Sequence, residues 1–398
     1  MSKFIVFCAD GTWNGPGQSD AGSTHGDITN VLKAYRALLG NPSVPGSDLS
    51  SEQEKVLTDS SGQAIQVAKY LDGVGDSSNP LVHAVGGGLG AGLIARVVRG
   101  YTFISRHYAS GDKIVLLGFS RGAYTARALG ELITGQGLLD ATKLDLSDKP
   151  RAYALGCAAW RVHREATSGT EGLLEKLAEE GATLASFFVT KPSADQYLPA
   201  PIEAVAVWDT VGSLGIPDVQ EGVNLDLFRF VDTKLGPTVA HGFHAVSADE
   251  RRANFTPTLW DQEPRVVQVI FPGAHADVGG GYPTSNDESG LSDCALRWMV
   301  ARLRAVGVAL AGEPAAPFRP DAAGVAHAPW DASPWDKLPT CPRSFPPGLV
   351  LSQSVIDRLA LRTVLDHPGA AAAPYWPASL GGYLTTPGPR ADISVTEY

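Results

Sequence analysis

A serine stands between two glycines at the end of an apolar run, and this arrangement restricts the fold more than any other feature. Residues 113–117 read KIVLL, residues 118–122 read GFSRG, and a helix-like stretch follows. A short apolar run that ends in a turn signal is typical of a buried parallel strand. The glycines indicate a turn so sharp that side chains two positions before and after Ser120 would collide with neighbouring backbone. We therefore expect a strand, a tight turn and a helix in direct succession.

The same alternation of strand and helix extends along the chain. Apolar runs predict strands at 4–7, 64–71, 114–119, 204–208 and 266–271. Apolar residues at helical spacing predict helices from Asn30 to Leu39, ended by Gly40, and from Leu93 to Tyr108. Strands that alternate with helices of this length predict a mainly parallel sheet with helices on both faces. In that context the strand–GFSRG–helix unit is typical of the nucleophile elbow, so the expected fold is α/β, of the α/β-hydrolase type.

The segments outside this alternation are interpreted from their composition. Residues of about 140–200 are expected to be a mostly helical insertion over one edge of the sheet. We predict a catalytic domain over 1–310 and, over 311–398, an irregular C-terminal appendage rich in Pro and Ala that packs on the core. The stretch HGFHAVSADERRANF at 241–255 is interpreted as a helix. The stretch LDLFRFV at 225–231 reads either as part of a cap over the site or as an ordinary core helix.

Charge and apolar content exclude several classes of function. The net charge of −10 argues against a phosphate-binding surface for nucleic acid. No apolar run approaches the ~20 residues of a membrane span, and the N-terminal run MSKFIVFCAD is too short for a secretory signal. The four cysteines are scattered and form no CxxC pair, which favours free thiols in a reducing compartment. We therefore expect a cytoplasmic location, or export by a route that needs no N-terminal signal, and no cofactor.

A serine nucleophile needs a base, and the base needs a carboxylate to orient it. In α/β-hydrolases these groups follow in the order Ser, acid, His, each at the carboxyl end of a strand. Ser120, Asp209 and His275 meet this order. His275 is preferred among nine histidines because it directly follows a strand downstream of both other residues, with His244 as the second choice. Asp277 is the alternative acid, or it caps the loop of His275 by bonding the loop's amides.

The oxyanion that forms during acyl transfer needs backbone N–H donors. The helix that begins at about Arg121 aims its first amide at this place. The loop after the first strand usually supplies a second donor, which assigns Gly11 and Thr12 to the oxyanion hole. Asp10 is then expected to organise that loop.

Three other readings of the same residues are weaker. CADGT at 8–12 is similar to the D-x-D-G-T start of haloacid-dehalogenase phosphatases, but Cys8 stands where their nucleophilic aspartate would be. GGGLGAG at 86–92 does not keep the G-x-G-x-x-G spacing of a dinucleotide fingerprint. A metal site built from strand-end Asp10, Asp209, His275 and Asp277 lacks any standard metal-binding spacing, so we expect no metal.

Several segments together resemble one known family. They are FCADGTWN at 7–14, GVG at 73–75, GGGLGAGL at 86–93, GFSRGAYTAR at 118–127, VWDTVGSLG at 207–215, HAVSADERRANF at 244–255 and PGAHADVGGGY at 272–282. In this order they resemble an α/β-hydrolase family that includes the catalytic domains of type VI secretion phospholipase effectors. The resemblance implies ester hydrolysis by Ser120 with Asp209 and His275, phospholipids being the substrates of the characterised effectors. We expect no large C-terminal membrane-anchoring module of the kind that those effectors carry.

The leading hypothesis is a serine hydrolase that cleaves lipid esters through an acyl-enzyme. A soluble short-chain carboxylesterase, or a non-catalytic protein that binds a partner on a hydrolase fold, remains open at this point. The expected partners are a small-molecule or lipid ester, a peripheral membrane contact and, for an effector, an immunity protein.

Overall fold

A ten-stranded sheet crosses the described part of the molecule. The computed structural model describes residues 2–11, 28–44, 51–73, 89–168, 191–212, 233–312, 318–333, 335–337, 339–384 and 393–396. The strands are β1 Phe4–Ala9, β2 Asn41–Pro42, β3 Glu52–Thr58, β4 Ala64–Leu71, β5 Lys113–Phe119, β6 Leu138–Leu139, β7 Tyr197–Leu198, β8 Ile202–Trp208, β9 Val239–Ser247, β10 Val266–Phe271, β11 Leu349–Ser352 and β12 Ile393–Thr396. The order in the large sheet is β12-β11-β10-β9-β8-β5-β1-β4-β3-β2. From β12 to β4 every neighbouring pair is parallel, whereas β3 and β2 are antiparallel at one edge.

Helices cover both faces of the sheet, as predicted. They are α1 Asn30–Ala37, α2 Leu89–His107, α3 Arg121–Gln136, α4 Lys149–Ser168, α5 His275–Gly279, α6 Gly290–Ala305, α7 Gln353–Ala360 and α8 Gly381–Leu384. One face packs α2, α3 and α4 against the sheet, and the other face packs α1 and α6. The prediction of an α/β-hydrolase fold with a mainly parallel sheet is confirmed. None of the described helices has both the length and the apolar content needed to cross a bilayer.

All five predicted strands form, because most of their residues are apolar and helices pack on both faces of the sheet. Their observed bounds differ from the predicted ones by at most two residues at either end. The predicted helix at 30–39 is shorter than expected: it ends at Ala37, and Leu39 is 41% exposed instead of facing the core. Thr29 caps its start by accepting a hydrogen bond from the amide of Leu32.

The prediction of a helix over 241–255 is wrong. Its first seven residues belong to β9, which lies between β8 and β10 and has His244, Ala245 and Val246 fully buried. A place inside a parallel sheet outweighs the weak helix preference of such a segment. The rest of the segment is irregular, with one turn of 3₁₀ helix at Ala253–Phe255.

The residues after 310 take part in the sheet, which their composition did not indicate. Strand β11 pairs with β10, and β12 pairs with β11, both in parallel. A small apolar cluster joins Phe345, Leu351 and Val355 to residues of β9 and β10. The division into a catalytic domain over 1–310 and an appendage over 311–398 stays a prediction, as does the insertion at 140–200, whose described part contains α4 and β7.

Candidate active site

Ser120 occupies a strained turn between β5 and α3. Its φ of 57° lies in the left-handed region, which is costly for a residue with a Cβ. Its amide donates to the carbonyl of Trp208 at the end of β8, at 3.1 Å. The residue keeps 7% of its surface exposed. The strand–turn–helix arrangement predicted around Ser120 is therefore present, and the strain is the kind that a functional turn retains.

The two flanking glycines are required by space, as predicted. A Cβ on Gly118 would lie 2.3 Å from the carbonyl oxygen of Gly122. A Cβ on Gly122 would lie 2.1 Å from the carbonyl oxygen of Ala9 and 2.4 Å from that of Asp10. The first turn of α3 thus rests directly on the end of β1, and no side chain fits between them.

Asp209 follows β8, the strand beside β5, and is also in a left-handed conformation, with φ 37°. Its carboxylate is fully buried. Oδ1 accepts a hydrogen bond from the amide of Ser247 at 3.0 Å, and Oδ2 lies 2.5 Å from Nδ1 of His275. Burial alone would raise the pKa of Asp209, but the charge of Arg343 and the hydrogen bonds from His275 and Arg343 outweigh it and hold the pKa well below its usual range. Asp209 is therefore an anion at all ordinary pH values.

His275 begins α5, directly after the turn that ends β10. Its ring lies between two phenylalanines, with centroids 4.6 Å from Phe119 and 5.1 Å from Phe255. Phe119 is the neighbour of Ser120, and α5 packs so closely on it that a Cβ on Gly279 would lie 1.9 Å from its ring. Nε2 of His275 is buried and has no hydrogen-bond partner among the described residues. Burial lowers the pKa of His275 by more than Asp209 raises it, so the imidazole is neutral at rest.

His244, the second-choice histidine, lies on β9 and supports the turn at Asp209. Its Nε2 accepts a hydrogen bond from the amide of Thr210 at 3.1 Å, and its Nδ1 lies 3.2 Å from Oε1 of Gln268. The ring is fully buried, and burial lowers its pKa to about 3. Both ring nitrogens are therefore occupied, which suits a structural role for His244.

Asp277 bonds the loop and a different histidine. Its Oδ2 accepts hydrogen bonds from the amides of Ala274 at 2.8 Å and His327 at 3.0 Å. Its Oδ1 lies 2.6 Å from Nδ1 of His327. Of the two candidate acids, Asp209 contacts His275, while Asp277 caps the loop and pairs with His327.

Asp10 organises the end of β1 through three hydrogen bonds. Oδ1 accepts one from the amide of Gly11 at 2.7 Å, and Oδ2 accepts from Thr29 at 2.7 Å and Tyr70 at 2.6 Å. Burial raises the pKa of Asp10 to about 6 against the effect of these donors. The amide of Gly11, expected in the oxyanion hole, is therefore already bonded to Asp10. Thr12 lies outside the described residues, and Arg121 begins α3, as expected.

The residues of the alternative metal-site hypothesis are already bonded to groups of the protein. Asp209 is bonded to Arg343 and His275, Asp277 to His327, and Asp10 to three donors of the protein. Within the described part of the chain, no group of three or more His, Cys, Asp or Glu side chains could hold a metal ion.

Arg343 contacts the candidate site, although no sequence pattern indicated it. Its Nη1 donates to Oδ1 of Asp209 at 2.6 Å, and its Nη2 donates to Oδ2 at 2.9 Å. It lies 134 positions from Asp209 in a stretch without periodic apolar residues, so no local pattern connects the two.

The cap segment 225–231 and the start of the glycine run at 86–88 lie outside the described residues.

Comparison with known families places this chain. The family model described as the catalytic domain of Tle1-like phospholipase effectors of the type VI secretion system matches residues 3–302. The chain belongs to this Tle1-like family. The resemblance predicted from its motifs is thereby confirmed.

Individual relatives of the Tle1-like chain are distant. It is 25% identical over 287 residues to the uncharacterized protein YEL023C of Saccharomyces cerevisiae, which covers 71% of this chain and 37% of that protein. An uncharacterized protein from Pseudomonas aeruginosa has a TM-score of 0.45 at 18% identity, over 78% of this chain and 46% of that one. A Tle1 effector bound to the VgrG spike of the type VI secretion system has a TM-score of 0.35 at 18% identity, over 72% and 52%. The chain thus spans less than half the length of the yeast protein and less than half that of the Pseudomonas aeruginosa protein.

Proposed function

We propose that this Tle1-like chain is a serine hydrolase of lipid esters that acts through an acyl-enzyme. The observation that carries the proposal is the 2.5 Å contact between His275 and Asp209. It lies at the carboxyl ends of the parallel strands, where Ser120 follows β5. Three groups with these chemical types and this order are what acyl transfer requires. The lipid substrate is proposed from the family, whose model is described by its phospholipase effectors.

In the proposed mechanism, Nδ1–H of His275 donates to the Asp209 carboxylate, which leaves the lone pair of Nε2 available. Nε2 takes the proton of the Ser120 hydroxyl while its oxygen attacks the ester carbonyl carbon. The carbonyl oxygen becomes an oxyanion, and we assign the amide of Arg121, at the start of α3, as its donor. His275 then gives the proton to the leaving alcohol. Water, activated by His275, attacks the acyl-enzyme and releases the acid and Ser120.

The second donor of the oxyanion hole remains a proposal for the loop after β1. The Gly11 amide can serve only if it leaves the Asp10 carboxylate, to which it is bonded at 2.7 Å. Thr12 stays a prediction. Secretion, an immunity protein and a contact with membranes also stay predictions that follow from family membership.

The test compares wild type with Ser120→Ala, and with Ser61→Ala as a matched control. Ser61 is exposed and bonds Asp59 in the turn between β3 and β4, at the opposite end of the parallel strands from Ser120. Substrates are p-nitrophenyl esters of two and twelve carbons and liposomes of phosphatidylethanolamine, and a fluorophosphonate probe reports labelling of the serine. We expect Ser120→Ala to lose labelling and at least about 10⁴-fold in kcat, with Ser61→Ala unchanged.

The substrate arms decide between candidate activities. Fatty acid release from liposomes that requires Ser120 supports the lipid hydrolase. Cleavage of the two-carbon ester alone would make the protein a short-chain carboxylesterase. Turnover that survives Ser120→Ala, or no labelling of folded wild type, would overturn the serine mechanism.

A further inference from the structure

Arg343 brings a buried positive charge to the carboxylate of Asp209. The side chain is 4% exposed and forms two parallel hydrogen bonds to the two carboxylate oxygens. The same guanidinium nitrogens donate to the carbonyl of Ser247 at 2.8 Å and to that of Phe255 at 2.6 Å. Such a planar, two-point contact fixes the rotation of a carboxylate as well as its position.

The contacts of Asp209 leave its carboxylate little freedom. Each oxygen takes one bond from Arg343 and one bond from another group: Oδ1 from the amide of Ser247, and Oδ2 from His275. The left-handed backbone at Asp209 adds a further constraint. The orientation of the His275 ring therefore depends on a carboxylate that Arg343 holds in place.

The backbone of the C-terminal segment is tied down beside the site. The amide of Cys341 donates to the carbonyl of Arg251 at 2.8 Å, and the amide of Ala253 donates to the carbonyl of Pro339 at 3.1 Å. Between them Arg252 and Thr340 form an antiparallel bridge. The family match ends at residue 302, so the residues that deliver Arg343 lie beyond it.

We propose that Arg343 is a positioning residue of this active site: it orients Asp209 and balances its charge, and so sets the pH above which His275 can act as a base. The proposal rests on the proposed serine hydrolase function. It makes the segment around residue 343 a component of the active site.

The sign of the effect follows from the charges around His275. Two anions face it: Asp209 on Nδ1, and Glu250, whose Oε2 accepts a hydrogen bond from the His275 amide at 3.2 Å. Two cations balance them, since Arg343 pairs with Asp209 and Arg252 pairs with Glu250 at 2.8 Å. Removing the charge of Arg343 leaves one excess negative charge, which favours the imidazolium. A higher pH is then needed to obtain the neutral base.

The experiment uses Arg343→Gln, which removes the charge, and Arg343→Lys, which keeps the charge but loses the two-point contact. Arg358→Gln is the matched control. Arg358 is also buried in the C-terminal segment, but its guanidinium bonds the carbonyls of Ala322, Gly324 and Leu365. Two quantities are measured for each protein: the titration of the His275 ring by NMR with labelled histidine, and kcat/KM against pH with the two-carbon ester.

In Arg343→Gln we expect the His275 titration and the acid limb of kcat/KM to move to higher pH by about one unit. We expect Arg343→Lys to keep the limb near that of wild type and to lose at least about tenfold in kcat, because a point charge does not fix the carboxylate plane. Added guanidinium should restore part of the activity of Arg343→Gln. Arg358→Gln should lose stability, while the acid limb of its kcat/KM profile stays at the pH of wild type.

Two outcomes would overturn the proposal. One is a folded Arg343→Gln whose histidine titration and acid limb match those of wild type. The other is Arg343→Lys with unchanged kcat, and this variant decides the matter if Arg343→Gln does not fold. The NMR titration needs no turnover, so a wild type without esterase activity would refute the proposed function and still report on Arg343.

Discussion

Nδ1 of His275 lies 2.5 Å from Oδ2 of Asp209, while Asp277, only two residues further along the chain, bonds His327 instead. Proximity in the sequence therefore does not decide which carboxylate contacts His275. The strand-end position of Asp209 brings it to His275, and the α5 geometry turns Asp277 toward its own loop.

The two aspartates are expected to respond differently to the same change. Asp209→Asn should lower kcat by about 10⁴-fold, because an amide does not hold the imidazole in the required tautomer. Asp277→Asn should cost about 1–3 kcal/mol of unfolding free energy by disturbing the His327 pair, with a much smaller loss of kcat. Ester turnover and urea unfolding of both variants check this. A larger loss of kcat in Asp277→Asn than in Asp209→Asn would reverse the assignment.

Replacing either of two glycines of α3 with alanine should have opposite effects on the stability of the protein. Gly122→Ala places a Cβ 2.1 Å from a backbone oxygen of β1, so either the helix or the strand must move. In Gly130→Ala the nearest atoms to the new Cβ are 3.6 Å away. We expect Gly122→Ala to destabilise by about 2 kcal/mol or more, and Gly130→Ala to be neutral or to stabilise by up to about 1 kcal/mol. Thermal or urea unfolding measures both, and equal stability of the two variants would contradict the steric argument.

The raised pKa of Asp10 predicts how the stability of the folded protein depends on pH. Its pKa is raised to about 6 in the folded protein, so the folded state holds the proton more tightly than the unfolded chain does. The resulting stabilisation is complete below about pH 4 and is lost as the pH rises toward 6, by up to about 3 kcal/mol. Asp10→Asn should remove this decline. Asp249, whose pKa is also raised to about 6, is present in both proteins and cancels in the comparison.

Urea unfolding of wild type and Asp10→Asn at several pH values between 4 and 7 provides the measurement. The difference in unfolding free energy should change in favour of the variant as the pH rises. Parallel curves for the two proteins would show that Asp10 keeps an ordinary pKa in the folded state.

The sequence predicted the part of the fold that local patterns encode. Strands such as β5 and β8 are apolar runs with a turn signal at the end, and the predicted site residues follow directly on them. Strand β3 was missed because EQEKVLT is polar and lies near the antiparallel edge of the sheet. Strand β9 was misread because its burial on both faces comes from its neighbours and leaves no alternating pattern.

The same limit applies to the site. Ser120, Asp209 and His275 could be selected because each is read from its own strand end. The contact of Arg343 with Asp209 joins two distant parts of the chain, and an arginine in a proline-rich stretch has no sequence signal for such a partner. Likewise, the bond between the Gly11 amide and Asp10 depends on a backbone rotation that the motif CADGT does not specify.

Arg343 follows the central strands of the sheet in the chain, so it is also synthesised after them. A ribosome makes residue 343 after residue 275, and at about 5–20 residues per second the interval lasts several seconds. During that time the chain already contains the serine, the aspartate and the histidine, but the counter-ion of Asp209 has not been made. A nascent chain therefore cannot complete this charge pair until residue 343 is made, when most of the molecule already exists.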